Sequence, residues 1–148
     1  MIISRADFIK EALSWVGTPY KSLQSCKGKG CDCAGFIYGT MKNVGLLPAD
    51  YMPPRVSGQW YMHRTNEVFI EELTRVGAVQ IPDMDTRPGD IVSFKFGRAQ
   101  SHLTILLPTM KFIHCLASAN GVVITSGAEN AGHAHITWRL PGLSAPEA

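Results

Sequence analysis

The feature that most constrains this 148-residue chain is a change of hydrophobic period near Gly77, helical before it and strand-like after it. Ser4 followed by Asp7 resembles a capping box, and Ile9, Leu13 and Val16 recur at helical spacing until Gly17 and Pro19 end the segment. After a glycine-containing loop, Gln24 to Gly30, a second helical stripe runs through Cys33, Phe36, Ile37, Thr40, Met41 and Val44. Gly45 and Pro48 close it. Residues 47 to 55 hold three prolines and read as a surface connection. Thr65 can cap a third helix with Phe69, Leu73 and Val76 on one side. Beyond Gly77 a turn at Arg87-Pro88-Gly89-Asp90 leads into Ile91 to Phe96, where Val92, Phe94 and Phe96 alternate with Ser93 and Lys95. Further strands are expected at 102–107, 111–117, 122–125 and 135–140, joined by links short enough for antiparallel pairing. Helices first and a meander of strands afterwards give an α+β fold, with the helices on one face of the sheet.

The length suits one domain spanning residues 1–148, and no internal repeat divides it. With 45% apolar and 18% charged residues, the chain has the composition of an ordinary globular protein. A net charge of +2, with basic residues scattered apart from Lys27 and Lys29, gives no reason to invoke nucleic acid. No apolar run approaches the ~20 residues that span a bilayer, and the N-terminus turns polar too soon for a signal peptide. Synthesis in the cytoplasm, with reduced cysteines, is the expectation.

Four cysteines stand at 26, 31, 33 and 115. Cys33 follows Asp32, a good N-cap, so its thiol falls in the first turn of a helix, where free N–H groups and the positive dipole end favour a thiolate. Against this stands the ordinary role of a free cysteine as a small buried apolar residue. A nucleophilic thiol also needs a base, and imidazole has the suitable pKa. His102 opens one strand and His114 lies in the next. An antiparallel pairing centred on residue 108 sets the two opposite or diagonal, so that one ring can hold the tautomer of the other. His63, His133 and His135 read as solvated or core histidines, and Cys115 should point away from His114 into the apolar layer.

The runs Gly17-Thr18-Pro19-Tyr20, Cys31-Asp32-Cys33-Ala34-Gly35-Phe36-Ile37, Arg87-Pro88-Gly89-Asp90-Ile91-Val92-Ser93-Phe94, Ser101-His102-Leu103-Thr104-Ile105 and Phe112-Ile113-His114 together resemble the NlpC/P60 family of cysteine peptidases. The likeness extends over roughly residues 6 to 140 and is nearest to the compact forms of phage tails and gene-transfer agents. It implies a reduced papain-like fold and hydrolysis of peptidoglycan stem peptides at a bond between D-glutamyl and a diamino acid. It further implies Cys33 as nucleophile, His102 as base, His114 as third polar residue and Tyr20 as a tyrosine near the thiol. The site around Asp32 and the Cys33 N–H would serve the substrate and oxyanion. No cofactor is implied. The partners it implies are the stem peptide and, in a particle, phage-tail or gene-transfer-agent proteins. Ala34 stands where many wall hydrolases carry serine, and Thr104 where glycine or alanine is usual.

Two other classes compete. A structural zinc module would draw on Cys26, Cys31, Cys33, His114 and Cys115, although their spacing lacks the two tight pairs of such sites. An inactive tail or scaffold protein would keep the fold without turnover. A Cys26–Cys31 disulfide would require an oxidising space.

Overall fold

The computed structural model describes residues 2–54 and 67–146, and Thr65 and His63 lie outside them. Among the described residues, three helices precede a six-stranded sheet: α1 (Arg5–Leu13), α2 (Cys33–Asn43) and α3 (Val68–Arg75). Between α1 and α2 a small hairpin pairs β1 (Ser25–Cys26) with β2 (Gly30–Cys31). The main sheet contains β3 (Val79–Ile81), β4 (Ile91–Phe96), β5 (Ala99–Leu107), β6 (Lys111–Leu116), β7 (Gly121–Thr125) and β8 (His135–Arg139), in the order β3-β8-β4-β5-β6-β7 and antiparallel throughout.

Ser4 caps α1 as its sequence indicates, its hydroxyl accepting from the Asp7 N–H at 3.0 Å. The buried stripe of the segment differs from the expected one. Phe8, Ala12 and Trp15 face the core, whereas Leu13 and Val16 are exposed. The aromatic set buries the larger surface, and the Trp15 ring stacks edge-on against Phe36 of α2 at 5.8 Å. On the sheet, Ile91, Leu103, Ile105, Ile113, Cys115 and Trp138 join Phe36, Ile37 and Met41 in the main core. The alternating set Val92 and Phe94 belongs to a smaller cluster with Leu106. The side of β4 in the main core carries Ile91 and the buried polar Ser93, whereas the more apolar side, Val92 and Phe94, faces away from it, so apolar alternation alone points to the wrong face.

The strands are not a simple meander. β4 to β7 follow one another as hairpin neighbours, but β8 returns to pair with β4 and β3. The link after β7 is therefore a crossing, not a hairpin turn. Along it Glu129 meets His114 on β6, and His133 meets the Lys95 carbonyl on β4.

Candidate active site

Asp32 builds the amino end of α2. One carboxylate oxygen accepts from the Gly35 N–H at 2.7 Å, and the other accepts from Leu23 N–H at 2.8 Å. The same group thus caps the helix and ties the preceding loop to it. Cys33 is the first helical residue and is half-buried. Its thiol donates to the Ser101 carbonyl at 3.5 Å, and the nearby N–H groups of Leu103, Ala34 and Cys33 itself act to lower its pKa. The sulfur therefore meets β5 through the main chain on both sides of His102. A cleft opens beside this helix start, lined by Leu23, Asp32, Ala34, Gly35, Met52 and Phe69 among others.

The helix-start placement was expected to favour a thiolate, and the balance comes out the other way. Burial, followed by the negative charge of Asp32, pushes the Cys33 thiol up to about 12, against the pull of those three N–H groups. The resting sulfur is a thiol.

His102 Nε2 lies 2.7 Å from His114 Nδ1. The β5–β6 register pairs Ile105 with Ile113 and Leu107 with Lys111. That ladder is centred one residue later than the expected 108. The difference shifts the pairing by two residues, an even number, so both imidazoles keep the same face and meet diagonally. Burial, with the neighbouring His114 ring second, lowers His102 to about 3. Burial likewise lowers His114 to about 4, partly offset by the Glu129 carboxylate. Both rings are neutral at pH 7. The Phe96 ring stands edge-on to His102 at 5.6 Å.

Two residues of this cluster escaped the sequence reading. His114 Nε2 lies 2.8 Å from the Thr125 hydroxyl and 3.1 Å from a Glu129 carboxylate oxygen, and the Thr125 hydroxyl donates to Glu129. Glu129 stands two residues after Gly127 in a short turn and carries no periodic signal; only the crossing of that loop over β6 brings it to His114.

Tyr20 forms a main-chain bridge with Cys31, two residues before Cys33, and packs partly buried against the core. Thr104 is fully buried and donates to the Val92 carbonyl at 2.9 Å, a use of its hydroxyl within the sheet. His135 pairs with Asp83 at 2.9 Å, and His133 binds the Lys95 carbonyl, so neither joins the cluster. All four cysteines are free. Cys26 is exposed opposite Gly30, while Cys31 is buried. Cys115 lies in the core with its thiol donating to the Cys31 carbonyl at 3.2 Å, on the other face of β6 from His114. That alternation divides the ligand set of a zinc module. Among the described residues no three His, Cys, Asp or Glu side chains are grouped to hold a metal ion, and no helix is long and apolar enough to cross a membrane.

The sequence model of the NlpC/P60 family matches residues 17–139. The "Probable endopeptidase NlpC" of Escherichia coli K12 is 32% identical over 119 residues, covering 79% of this chain and 64% of that protein. The chain thus spans just under two thirds of that relative's length. Among solved structures, the peptidoglycan hydrolase RipB of Mycobacterium tuberculosis superposes with a TM-score of 0.58 at 24% identity, covering 91% of this chain and 63% of that one. RipD of the same organism, a non-catalytic NlpC/p60 domain protein with peptidoglycan-binding function, gives the same TM-score at 15% identity, covering 91% and 95%. A hydrolase and a non-catalytic protein thus match this backbone equally well, and only side chains can separate the two cases.

Proposed function

The chain belongs to the NlpC/P60 family, and from that membership and the cluster on β5 and β6 we propose that it is a cysteine peptidase that hydrolyses an amide bond of peptidoglycan stem peptides. The observation that carries this reading is the 2.7 Å contact between His102, on the strand that meets the Cys33 sulfur, and His114 on the next strand. With Nε2 engaged by His114, His102 keeps Nδ1 for the thiol proton.

In this reading the sulfur attacks the scissile carbonyl as its proton passes to His102. Burial penalises an isolated thiolate and an isolated imidazolium alike, so the charges arise together, as a pair, when the bond forms. The N–H of Cys33 at the helix start stabilises the developing oxyanion. The imidazolium then protonates the leaving amine, and water attacks the acyl-enzyme with His102 again as base. His114 orients His102, while Tyr20 and the Asp32-capped loop border the substrate. The E. coli relative is described as a probable endopeptidase and RipB as a peptidoglycan hydrolase, which supports an amide bond of peptidoglycan as the target; the bond between D-glutamyl and a diamino acid is the one the family resemblance implies.

Mass analysis of muropeptides after incubation with the protein tests this. Fragments split at that bond are expected with the native chain, and none with Cys33→Ala, which removes the nucleophile and little volume. Equal turnover by Cys33→Ala would overturn the mechanism.

A further inference from the structure

Two neutral histidines in series do not by themselves decide which nitrogen of each ring carries the proton. A ring pair can be protonated in either direction, and only one direction leaves His102 Nδ1 with a lone pair. The group behind His114 breaks that symmetry. Glu129 is acceptor-only when ionised, and it accepts the Thr125 hydroxyl proton, which turns the Thr125 oxygen lone pairs toward His114. His114 Nε2, 2.8 Å from that oxygen and 3.1 Å from Glu129, must then carry its hydrogen there. His114 Nδ1 is left as an acceptor, so His102 Nε2 is the donor across the 2.7 Å contact, and His102 Nδ1 is bare.

We infer that Glu129 is a positioning residue which, through Thr125 and His114, fixes the tautomer that leaves His102 Nδ1 free to take the thiol proton. Its consequence for turnover rests on the peptidase reading above; its consequence for the imidazoles does not. Among the described residues, the groups facing His114 are His102 on β5, Thr125 on β7 and Glu129 on the crossing loop. Of these Glu129 alone brings a negative charge. Burial acts to raise its pKa, but hydrogen bonds from Thr125, its own backbone and His114 outweigh burial and hold the group ionised. The charge also offsets the imidazolium that forms when His102 takes a proton. Replacement by glutamine is the informative change. Its amide can donate to His114 Nε2, which permits the reversed chain and puts the hydrogen on His102 Nδ1.

The experiment uses the full chain, labelled with 15N, and long-range proton–nitrogen spectra of the imidazoles near pH 7. Both His102 and His114 are expected as Nε2–H tautomers in the native chain, and as mixtures or the opposite tautomer in Glu129→Gln. Alkylation of Cys33 by iodoacetamide, located by mass, should slow about tenfold or more in Glu129→Gln and Glu129→Ala. Turnover of muropeptides should lose about 10- to 100-fold in kcat with KM nearly unchanged. Unchanged tautomers and an unchanged alkylation rate in both variants overturn the inference. If the native chain leaves muropeptides intact, the peptidase reading fails, while the spectra and the alkylation rate still decide the role of Glu129.

Discussion

With the Cys33 proton held at about 12 and both imidazoles neutral, the pair at pH 7 is a thiol beside a neutral ring rather than a standing ion pair. The pH dependence of turnover follows from that state. A base is lost when it is protonated, and here burial and the second ring hold His102 at about 3 and burial holds His114 at about 4. Because the rings share a hydrogen bond, they titrate as a dyad. On the acid side kcat/KM should therefore stay level down to about pH 5 and fall only below it. A pH–rate profile whose acid limb lay near 6.5, the ordinary imidazole value, would sink the neutral-dyad description. In the proposed mechanism, replacing His114 by alanine leaves the base in place but removes what orients it. A loss of about 10- to 1,000-fold in kcat is expected, and an unchanged rate would assign the orienting role elsewhere.

At the level of elements, the amino end of α2 is held by a loop whose backbone nearly touches the helix. A Cβ added at Gly35 would lie 2.0 Å from the Gln24 carbonyl oxygen, and the Gly35 carbonyl itself accepts from the Ser25 hydroxyl at 2.6 Å. The neighbour is backbone, so Gly35→Ala must move the loop or the helix start. A loss of about 1–3 kcal/mol in stability is expected, together with reduced turnover as the Cys33 N–H shifts. Denaturant titration alongside kcat measures both, and a variant of native stability would show that the loop yields freely. This contact also marks how far the sequence was legible. Asp32 beside Cys33 is a local signal, and the capped helix start followed from it. The histidine pair was legible because strand alternation survives a two-residue shift of register. β3 was not, since Val79, Gln80 and Ile81 are only three residues, too few for an alternation to stand out from its surroundings. Glu129 depends on where β8 pairs, and nothing in the periodicity of residues 126–134 indicates a return to β4.

Across the whole molecule, Asp90 joins parts of the chain that neither hairpins nor the helix stripe connect. It stands fully buried at the head of β4. Arg5 of α1 meets it at 2.9 Å, and Arg139 of β8 approaches through two nitrogens at 2.8 and 3.1 Å. The Arg87 N–H adds a bond at 2.9 Å. The Pro-Gly-Asp turn that signalled a strand start therefore also anchors the first helix to the last strand. Removing the carboxylate leaves Arg5 nearly buried with a charge and no counter-ion, whereas Arg139, partly exposed, can turn to solvent. Breaking a buried pair from one side costs about 3–5 kcal/mol, and the exposure of Arg139 argues for the lower end, about 3 kcal/mol for Asp90→Ala. Asp90 touches none of Cys33, His102, His114 or Glu129, so turnover per folded molecule should stay native while the denaturation midpoint falls. A loss below about 1 kcal/mol would mean that the two arginines find water as readily as they find Asp90. A fall in turnover of the folded fraction would show that the seam between α1, β4 and β8 also sets the geometry of the histidine pair on β5 and β6.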